Sequence, residues 1–321
     1  MKQTLSIFFI LLLTSCAWVN DDNDDCPDGF WLNLHYTYNI LDVEAAPRHV
    51  QEVSIYVYDA AGNYIKRLNV NKAELDANSY RVRVDGLTEG DYQFVVWSGV
   101  VNNEYAVSGD VETMDKFRVS LSSQTTSYAS KLPDLYFGSL SSVHYDMNYA
   151  THDVYLMKNT NQLSCIVVPS SPSVTIKPES VTLRIESANA TMDAHNNLAS
   201  DRVMTYEPFA KETVTINDPD FGTLNGTTFS VSTLRLMEGL DCRIILENTE
   251  TGRQVFNVSF PEYVGMIGAY YTNLGKALSL QEYLDRQDFY TVVFFLSAEL
   301  DALMQLEVNN WRIRANNHLK L

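Results

Sequence analysis

Apolar and polar residues alternate along much of this chain. In FWLNLHYTYN, residues 30–39, every second residue is apolar or aromatic, which is the period of a β-strand with one buried face. The same period recurs in EVSIYVYD, SYRVRVDG and DYQFVVW, and turn-forming residues, such as those at positions 59–63, separate these segments. Short strands at this spacing predict an antiparallel β-sandwich.

The pattern restarts after LMKNTN and continues to the end of the chain. Strand-like segments follow as SVTLRIES, TTFSVSTLRL, CRIILEN, RQVFNVSF, YTVVFFLS and LEVNNWRIR. One helix is predicted within LSLQEYLDRQDF, because Leu278, Leu280 and Leu284 fall on one helical face. The chain is therefore predicted to be all-β, with little helix and two tandem antiparallel sandwiches at residues 29–159 and 160–321.

The first residues have the order of a bacterial lipoprotein signal. Lys2 gives a positive start, residues 5–13 form an almost unbroken apolar run, and two small residues precede Cys16. The run is too short to span a bilayer, which needs about 20 apolar residues, but it suits a secretory signal. We expect residues 1–15 to be a signal peptide and Cys16 to be acylated at the start of an acidic tether, residues 16–28. The alternative is an ordinary signal peptide followed by a cysteine that forms a disulfide.

Composition narrows the range of partners. The 321 residues carry a formal net charge of -17 and contain no basic stretch. Phosphate contacts require clustered Lys and Arg, so nucleic-acid binding is not expected. The acidity is instead suited to keeping an exposed protein soluble.

The cysteines allow two arrangements in the folded part of the chain. Cys16, Cys26, Cys165 and Cys242 are too widely spaced for a zinc ribbon or a CxxC redox motif. If Cys16 carries lipid, at most one internal disulfide can form, and Cys165 with Cys242 is the preferred pair because both lie in strand-like segments. The alternative is that both pack as small hydrophobic free thiols.

Motifs for catalysis or metal binding are missing from the sequence. It contains no HExxH, GxSxG, P-loop or GxGxxG pattern. His144 and His152 could frame a metal site with Asp146 and Asp153, but a solvated loop is favoured, and the acidic cluster at residues 21–25 lacks the glycine and glutamate of a calcium loop. We therefore expect a protein that is not an enzyme and that binds no cofactor or metal.

Several short segments occur in a specific order. Residues 13–16, LTSC, look like a lipobox, the cleavage and acylation motif of bacterial lipoproteins. An acidic stretch after it is followed by DDCPDGFWLNLHYTYN, VSIYVYDAAGNYI and GDYQFVVWSG, and the chain ends with LEVNNWRIRANNHLKL. In this order they resemble the FimB-like fimbrial anchor family of Bacteroidetes, mainly over the first hundred and the last twenty residues. Tyr58 stands where that family usually has Phe, and Ser98 follows the Trp of the third segment.

The resemblance implies a fold, a location and a partner. It implies two transthyretin-like β-sandwiches, a lipid anchor in the outer membrane at the cell surface, and attachment of a fimbrial shaft built from fimbrillin subunits. Shaft subunits of such fimbriae lose their first strand to an arginine-specific protease, whereas an anchor must stay uncut to keep its lipid. Residues 17–47 contain no Lys or Arg, so Arg48 is the first candidate cleavage site. Cleavage there would make the chain a polymerising pilin instead.

Two functions follow as expectations. The first is an outer-membrane lipoprotein that anchors or caps a fimbrial shaft and supports adhesion, with residues 306–314 as the strand that docks the shaft subunit. The alternative is a surface glycan-binding lipoprotein of a polysaccharide-uptake system. It would stack Trp97, Trp311 or exposed tyrosines on sugar rings.

Overall fold

The structure is a computed structural model that describes residues 29–108, 111–122, 126–199, 202–267 and 278–309, and the backbone of 311–314. Within these ranges, strands account for most of the ordered elements and the helices are short, which confirms the all-β prediction. The helices α1 to α4 are Ala46–His49, Lys72–Ala77, Phe260–Ile267 and Leu280–Arg286. The strands β1 to β11 are Phe30–His35, Glu52–Asp59, Tyr64–Asn71, Arg81–Val84, Gly90–Ser98, Tyr105–Val107, Arg118–Leu121, Ser127–Tyr128, Tyr136–Tyr145, Thr151–Tyr155 and Met157–Lys158. The strands β12 to β22 are Thr160–Pro169, Val181–Ser187, Thr191–Asp193, Met204–Tyr206, Ala210–Asp218, Gly222–Leu234, Arg243–Asn248, Gln254–Ser259, Phe289–Leu296, Leu303–Val308 and Trp311–Arg314.

The first half of the chain forms a sandwich of two sheets. One sheet has the order β10-β1-β4 and the other β11-β9-β5-β2-β3. Their apolar faces enclose a core in which Phe30 meets Phe94 edge-on, with 5.8 Å between ring centroids. Leu32, Leu34 and Ile55 complete the centre of this core and are almost fully buried.

The second half forms a larger sandwich. Its sheets have the orders β16-β17-β12-β20-β21-β22 and β19-β18-β13-β15-β8. The core between them includes Leu163, Cys165, Phe229, Ile244 and Phe294, all of which are buried. Alternation along β12 places Leu163 and Cys165 on the face toward this core, whereas both faces of β20 are covered, because Val293 and Phe295 pack in a smaller cluster on the other side.

The two halves share sheets and core. Strand β8, from the first half, pairs in parallel with β15, and β14, from the second half, pairs with β7 in a three-stranded sheet with β6. The core of the second half also takes in Tyr56, Tyr58 and Trp97 from β2 and β5. The two halves are therefore joined in space, and the boundary at residue 159 stays a prediction.

Strand β2 differs from the simple pattern of one buried face. Val53, Ile55 and Val57 face the first core, but Tyr56 and Tyr58 on the opposite side are also buried, against the second core. A sheet between two cores loses the alternation of buried and exposed residues. The prediction of one buried face thus holds for β1 and is wrong for β2.

Strand β1 is shorter than the predicted strand at residues 30–39. It ends at His35, and the amide of Asn39 builds the turn that follows. The Asn39 Nδ2 donates to the carbonyl oxygens of Tyr36 (2.9 Å) and Val43 (2.7 Å), while its Oδ1 accepts the N–H of Leu41 (3.1 Å). Asparagine competes in this way with strand hydrogen bonds, and it ends the extended segment.

The predicted helix within LSLQEYLDRQDF is confirmed as α4. The Ser279 hydroxyl accepts the N–H of Glu282 at 3.1 Å and caps the helix, while Leu278 and Leu284 are buried. Among the described residues, none of the helices is long and apolar enough to cross a membrane.

Candidate functional site

Strand β1 is held on both sides in its sheet. It pairs in parallel with β10, where Trp31 lies beside Thr151, and antiparallel with β4, where Trp31 lies beside Arg83. Backbone hydrogen bonds of a sheet run across the strands. A force applied along β1 therefore loads both ladders in shear, so many hydrogen bonds resist it together.

Arg48, the candidate protease site, lies exposed in the last turn of α1. The N–H groups of Arg48 and His49 both donate to the carbonyl of Ala45 at 3.1 Å, and that of Val50 donates to Ala46 at 2.9 Å. Proteases cut most readily at loosely held loop tips. The Arg48–His49 bond therefore lies within a hydrogen-bonded turn, with the Arg48 side chain exposed to solvent, and cleavage there stays a prediction.

A hydrogen-bonded network joins the end of β1 to its neighbours. His35 Nδ1 lies 2.8 Å from Glu44 Oε2, and His35 Nε2 lies 3.1 Å from Asp153 Oδ1 on β10. Burial lowers the pKa of His35, but the two carboxylates outweigh it, so its pKa is raised above the ordinary histidine value. The network thus favours a charged imidazole between two carboxylates.

Glu44 also closes the loop between β1 and α1. Its Oε1 accepts the N–H groups of Tyr36 (3.0 Å) and Ala46 (2.8 Å). Burial raises the pKa of Glu44, but these two N–H groups and His35 outweigh it, so the pKa is lowered. One carboxylate therefore holds both ends of the loop.

The same loop contacts the second half of the chain. The Arg286 guanidinium of α4 lies over the Tyr38 ring, and it donates to the Asn39 carbonyl (3.3 Å) and to Asp42 (3.4 Å). A cavity of about 280 Å³ lies beneath the loop, between Tyr36 and Arg286. The segment that follows β1 is therefore fixed to both sandwiches.

Lys158 makes a second connection between the halves. Its Nζ lies 3.0 Å from Asp134 and 2.9 Å from Asp288, and its side chain is 9% exposed. Burial lowers the pKa of Lys158, but the carboxylates of Asp288 and Asp134 outweigh it, and the pKa is raised. The charged lysine thus links a loop of the first half to the segment between α4 and β20.

The C-terminal stretch predicted as a docking strand is divided into two strands. Residues 306–308 belong to β21, which lies between β20 and β22, whereas β22 is at the edge of the six-stranded sheet. Asn309, with φ of 50°, begins the turn between them, and its Oδ1 accepts the Thr291 N–H at 2.8 Å. Asparagine tolerates this left-handed conformation, which favours a tight hairpin. The prediction of one continuous strand is wrong, and β22 is the segment at the edge.

The remaining predicted sites fall in different places. Cys16, and residues 1–28 with it, lie outside the described residues. Cys165 and Cys242 are fully buried free thiols in one core, the second of the two arrangements considered above. Burial raises the pKa of each thiol to about 12.

The side chains considered for a metal site are not brought together. His144 pairs with Asp91 at 2.8 Å, whereas His152 packs edge-on against Phe30. Asp146 bonds to Asn148. In the part of the chain that the structure describes, no group of three His, Cys, Asp or Glu side chains is placed to hold a metal.

Of the tryptophans proposed for sugar stacking, Trp97 has no exposed surface. Its ring packs against Phe137 with 5.1 Å between centroids. The side chain of Trp311 lies outside the described residues. Of the two tryptophans whose side chains the structure describes, Trp31 is the one that reaches the surface, and sequence reasoning missed it. The alternation that puts Phe30 and Leu32 in the core could have found it, because it puts Trp31 on the opposite face.

Comparison with known proteins identifies the family. A family model described as fimbrillin-A associated anchor proteins Mfa1 and Mfa2 matches residues 23–317. The chain belongs to this family. The resemblance to fimbrial anchors seen in the sequence is thereby confirmed. The anchor family consists of structural proteins associated with fimbriae and is not a known enzyme family.

Solved structures share the fold. A polysaccharide-binding candidate from Bacteroides thetaiotaomicron is 26% identical with a TM-score of 0.77, covering 90% of this chain and 99% of the other. An adhesin candidate from the same species is 25% identical with a TM-score of 0.79, covering 91% and 99%. The fimbrial anchor protein Mfa2 from Porphyromonas gingivalis is 18% identical with a TM-score of 0.67, covering 91% and 100%, and shows the fold alone. A search of the curated proteins found no match.

Proposed function

We propose that this chain is an outer-membrane lipoprotein that anchors or caps a fimbrial shaft at the cell surface. Its membership of the anchor family over residues 23–317 carries the proposal. Acylation of Cys16 would supply the membrane attachment, since each buried methylene adds about 0.8 kcal/mol. The basal fimbrillin subunit would be the protein partner, and adhesion the cellular outcome.

Retention of the first strand distinguishes an anchor from a shaft subunit. Residues 17–47 offer a trypsin-like protease no Lys or Arg, and the bond after Arg48 lies in the hydrogen-bonded turn of α1. Both observations favour a chain that keeps its tether and β1. Cleavage at Arg48 would instead remove lipid, tether and β1 together.

The geometry suits transmission of force from the lipid to the shaft. A force on the tether would act first on β1, which is paired on both sides. It would then be transmitted to α4 through the loop that Arg286 contacts. Strand β22 at the sheet edge is the proposed docking segment, where backbone hydrogen bonds would supply affinity and alternate side chains specificity.

A Cys16→Ala variant tests the anchor. Cells that express it should release intact shafts into the medium, while wild-type cells retain them and the shaft protein co-purifies with the membrane-bound chain. Cys165→Ala is the matched control, because it removes a buried thiol and leaves the shafts on the cells. Shafts that stay on cells with Cys16→Ala would contradict the proposal.

Glycan recognition is a second candidate function. A protein described as a polysaccharide-binding candidate is similar to this chain over nearly its whole length. Trp97 is unable to contribute, because it is buried. The surface around Trp31 is therefore the place to look for a sugar site, in addition to the anchoring role.

A further inference from the structure

One face of the sheet β10-β1-β4 is open to solvent and carries an unusual set of side chains. The opposite face packs into the first core. Strand pairing places the residues of the open face side by side, since directly opposed residues point the same way. We call this surface the β1 outer face. Its members are Trp31, Asn33, His35, Arg81, Arg83, Thr151, Asp153 and Tyr155.

Trp31 and two arginines form one end of the β1 outer face. The guanidinium carbons of Arg81 and Arg83 lie 5.1 and 5.8 Å from the centre of the Trp31 ring. Cation–π contacts of this kind hold the guanidinium groups in place. Arg81 is exposed, its Nε donates to the Asn78 carbonyl at 3.3 Å, and it forms no ion pair within the described residues. Its charge is therefore available to an anion.

An exposed aromatic ring lies at the other end. Tyr155 is 60% exposed, and its ring stacks on that of His35 with 5.3 Å between centroids and 23° between planes. His35 supports one face of the tyrosine ring and leaves the other to solvent. Trp31 and His35 are four residues apart on β1, so the two aromatic groups are separated by about 13 Å. A ligand that touches both must be longer than one sugar ring.

Polar groups lie between the two aromatic ends. Asn33 Nδ2 donates to Asp153 Oδ1 at 2.9 Å, which fixes both side chains. Asp153 Oδ2 has no hydrogen bond from the described residues, so it can accept from a hydroxyl. A cavity of about 410 Å³ adjoins this part of the face and is lined by Asn33, His35, Glu44 and Tyr80, among others. It offers room for a substituent of the ligand.

We propose that the β1 outer face binds a polysaccharide that carries carboxylate groups. Aromatic rings match the apolar face of a sugar ring, and fixed amide and carboxylate groups match its hydroxyls. Arginine binds a carboxylate through two parallel hydrogen bonds. Arg81 and Arg83 place positive charge at the Trp31 end of the face, which favours a carboxylate there, whereas Glu44 and Asp153 lie at the His35 end. This site is independent of the docking strand and of the lipid.

Binding of the full chain, purified in detergent, to polygalacturonate tests the proposal. Isothermal titration should give tighter binding to polygalacturonate than to neutral dextran, and the affinity should fall as NaCl is raised. Arg81→Gln, Trp31→Ala and Tyr155→Ala should each weaken binding about tenfold or more, which corresponds to about 1.4 kcal/mol. Circular dichroism verifies that each variant is folded.

Two matched variants serve as controls. Arg253→Gln removes an arginine that is 62% exposed, and Phe289→Ala removes an aromatic ring that is 49% exposed, both outside the β1 outer face. Neither should change the affinity. Folded Arg81→Gln and Tyr155→Ala proteins that bind like wild type would overturn the proposal, as would absence of binding or equal affinity for dextran. None of these outcomes bears on shaft retention, which the Cys16→Ala variant tests separately.

Discussion

The Arg286 guanidinium lies over the Tyr38 ring, with 4.3 Å between the guanidinium carbon and the ring centroid. Arg286 is 17% exposed, and it also pairs with Glu282 on its own helix at 2.9 Å. The contact joins the segment just after β1 to the second half of the chain. It provides a direct test of how firmly the two halves are connected.

Replacing Arg286 by Gln should destabilise the protein by about 1–2 kcal/mol, because it removes a partly buried cation–π contact and charge-assisted hydrogen bonds. Urea unfolding measures the loss. Arg253→Gln is the control. Arg253 is 62% exposed and lies 3.5 Å from Asp301, so its replacement should leave the free energy of unfolding almost unchanged. Equal effects of the two substitutions would show that Arg286 does not connect the halves.

The two sandwiches should unfold together. Strands from both halves pair in β8–β15 and β7–β14, and Tyr56 and Trp97 extend the second core into the first half. Differential scanning calorimetry should therefore give one transition with equal calorimetric and van't Hoff enthalpies. Two resolved transitions would show that the halves are energetically separate.

Lys158→Met should destabilise the protein by about 2–3 kcal/mol, because it leaves Asp134 and Asp288 facing each other without their cation. Both carboxylates are partly exposed, which keeps the loss below that of a fully buried pair. Chemical denaturation measures it. Lys72→Met removes a lysine that is 34% exposed and pairs with Asp76 within one helix, and it should be nearly neutral. If the two variants are equally stable, the Lys158 link contributes nothing.

Stability should depend on the protonation of His35. Since the pKa of His35 is raised in the folded protein, its contribution is complete below the ordinary histidine pKa and is lost as the pH rises through the folded value. The stability difference between wild type and His35→Gln should therefore shrink as the pH rises above the ordinary histidine pKa of about 6.5. Urea unfolding of both proteins at pH values below and above the ordinary histidine pKa measures this stability difference. A difference that does not change with pH would contradict the network with Glu44 and Asp153.

Cys165 and Cys242 should behave as protected thiols. Burial raises the pKa of each, so neither should react with iodoacetamide in the folded protein. After unfolding without reductant, peptide mass spectrometry should find both alkylated. A disulfide-linked peptide pair would support the first arrangement considered from the sequence.

The parts of the fold that depend on local pattern could be predicted. Alternation identified β1, and the spacing of Leu280 and Leu284 identified α4, whereas Leu278 precedes the cap of that helix at Ser279. What covers a sheet is set by residues distant in the sequence, so Tyr56 and Trp97 looked available to solvent although both are buried. The type of a hydrophobic or aromatic side chain does not indicate whether a second core will cover the face on which it lies.

Turn chemistry caused the remaining errors. Asn39 ends the extended segment early because its amide bonds to the local backbone, and Asn309 begins the turn that divides the C-terminal stretch because it adopts a left-handed φ of 50°. The β1 outer face could not be predicted from the sequence for a different reason. Its residues come from three segments, around Trp31, Arg81 and Asp153, and only strand pairing brings them together.

The most direct test of the anchor proposal is mass spectrometry of the mature N-terminus from cells that carry assembled fimbriae. The proposal predicts a chain that begins at Cys16 with attached acyl groups and retains residues 17–47 and β1. A mature chain that begins at His49 would contradict it, because such a protein would lack both the lipid and β1 and would be a shaft or tip subunit.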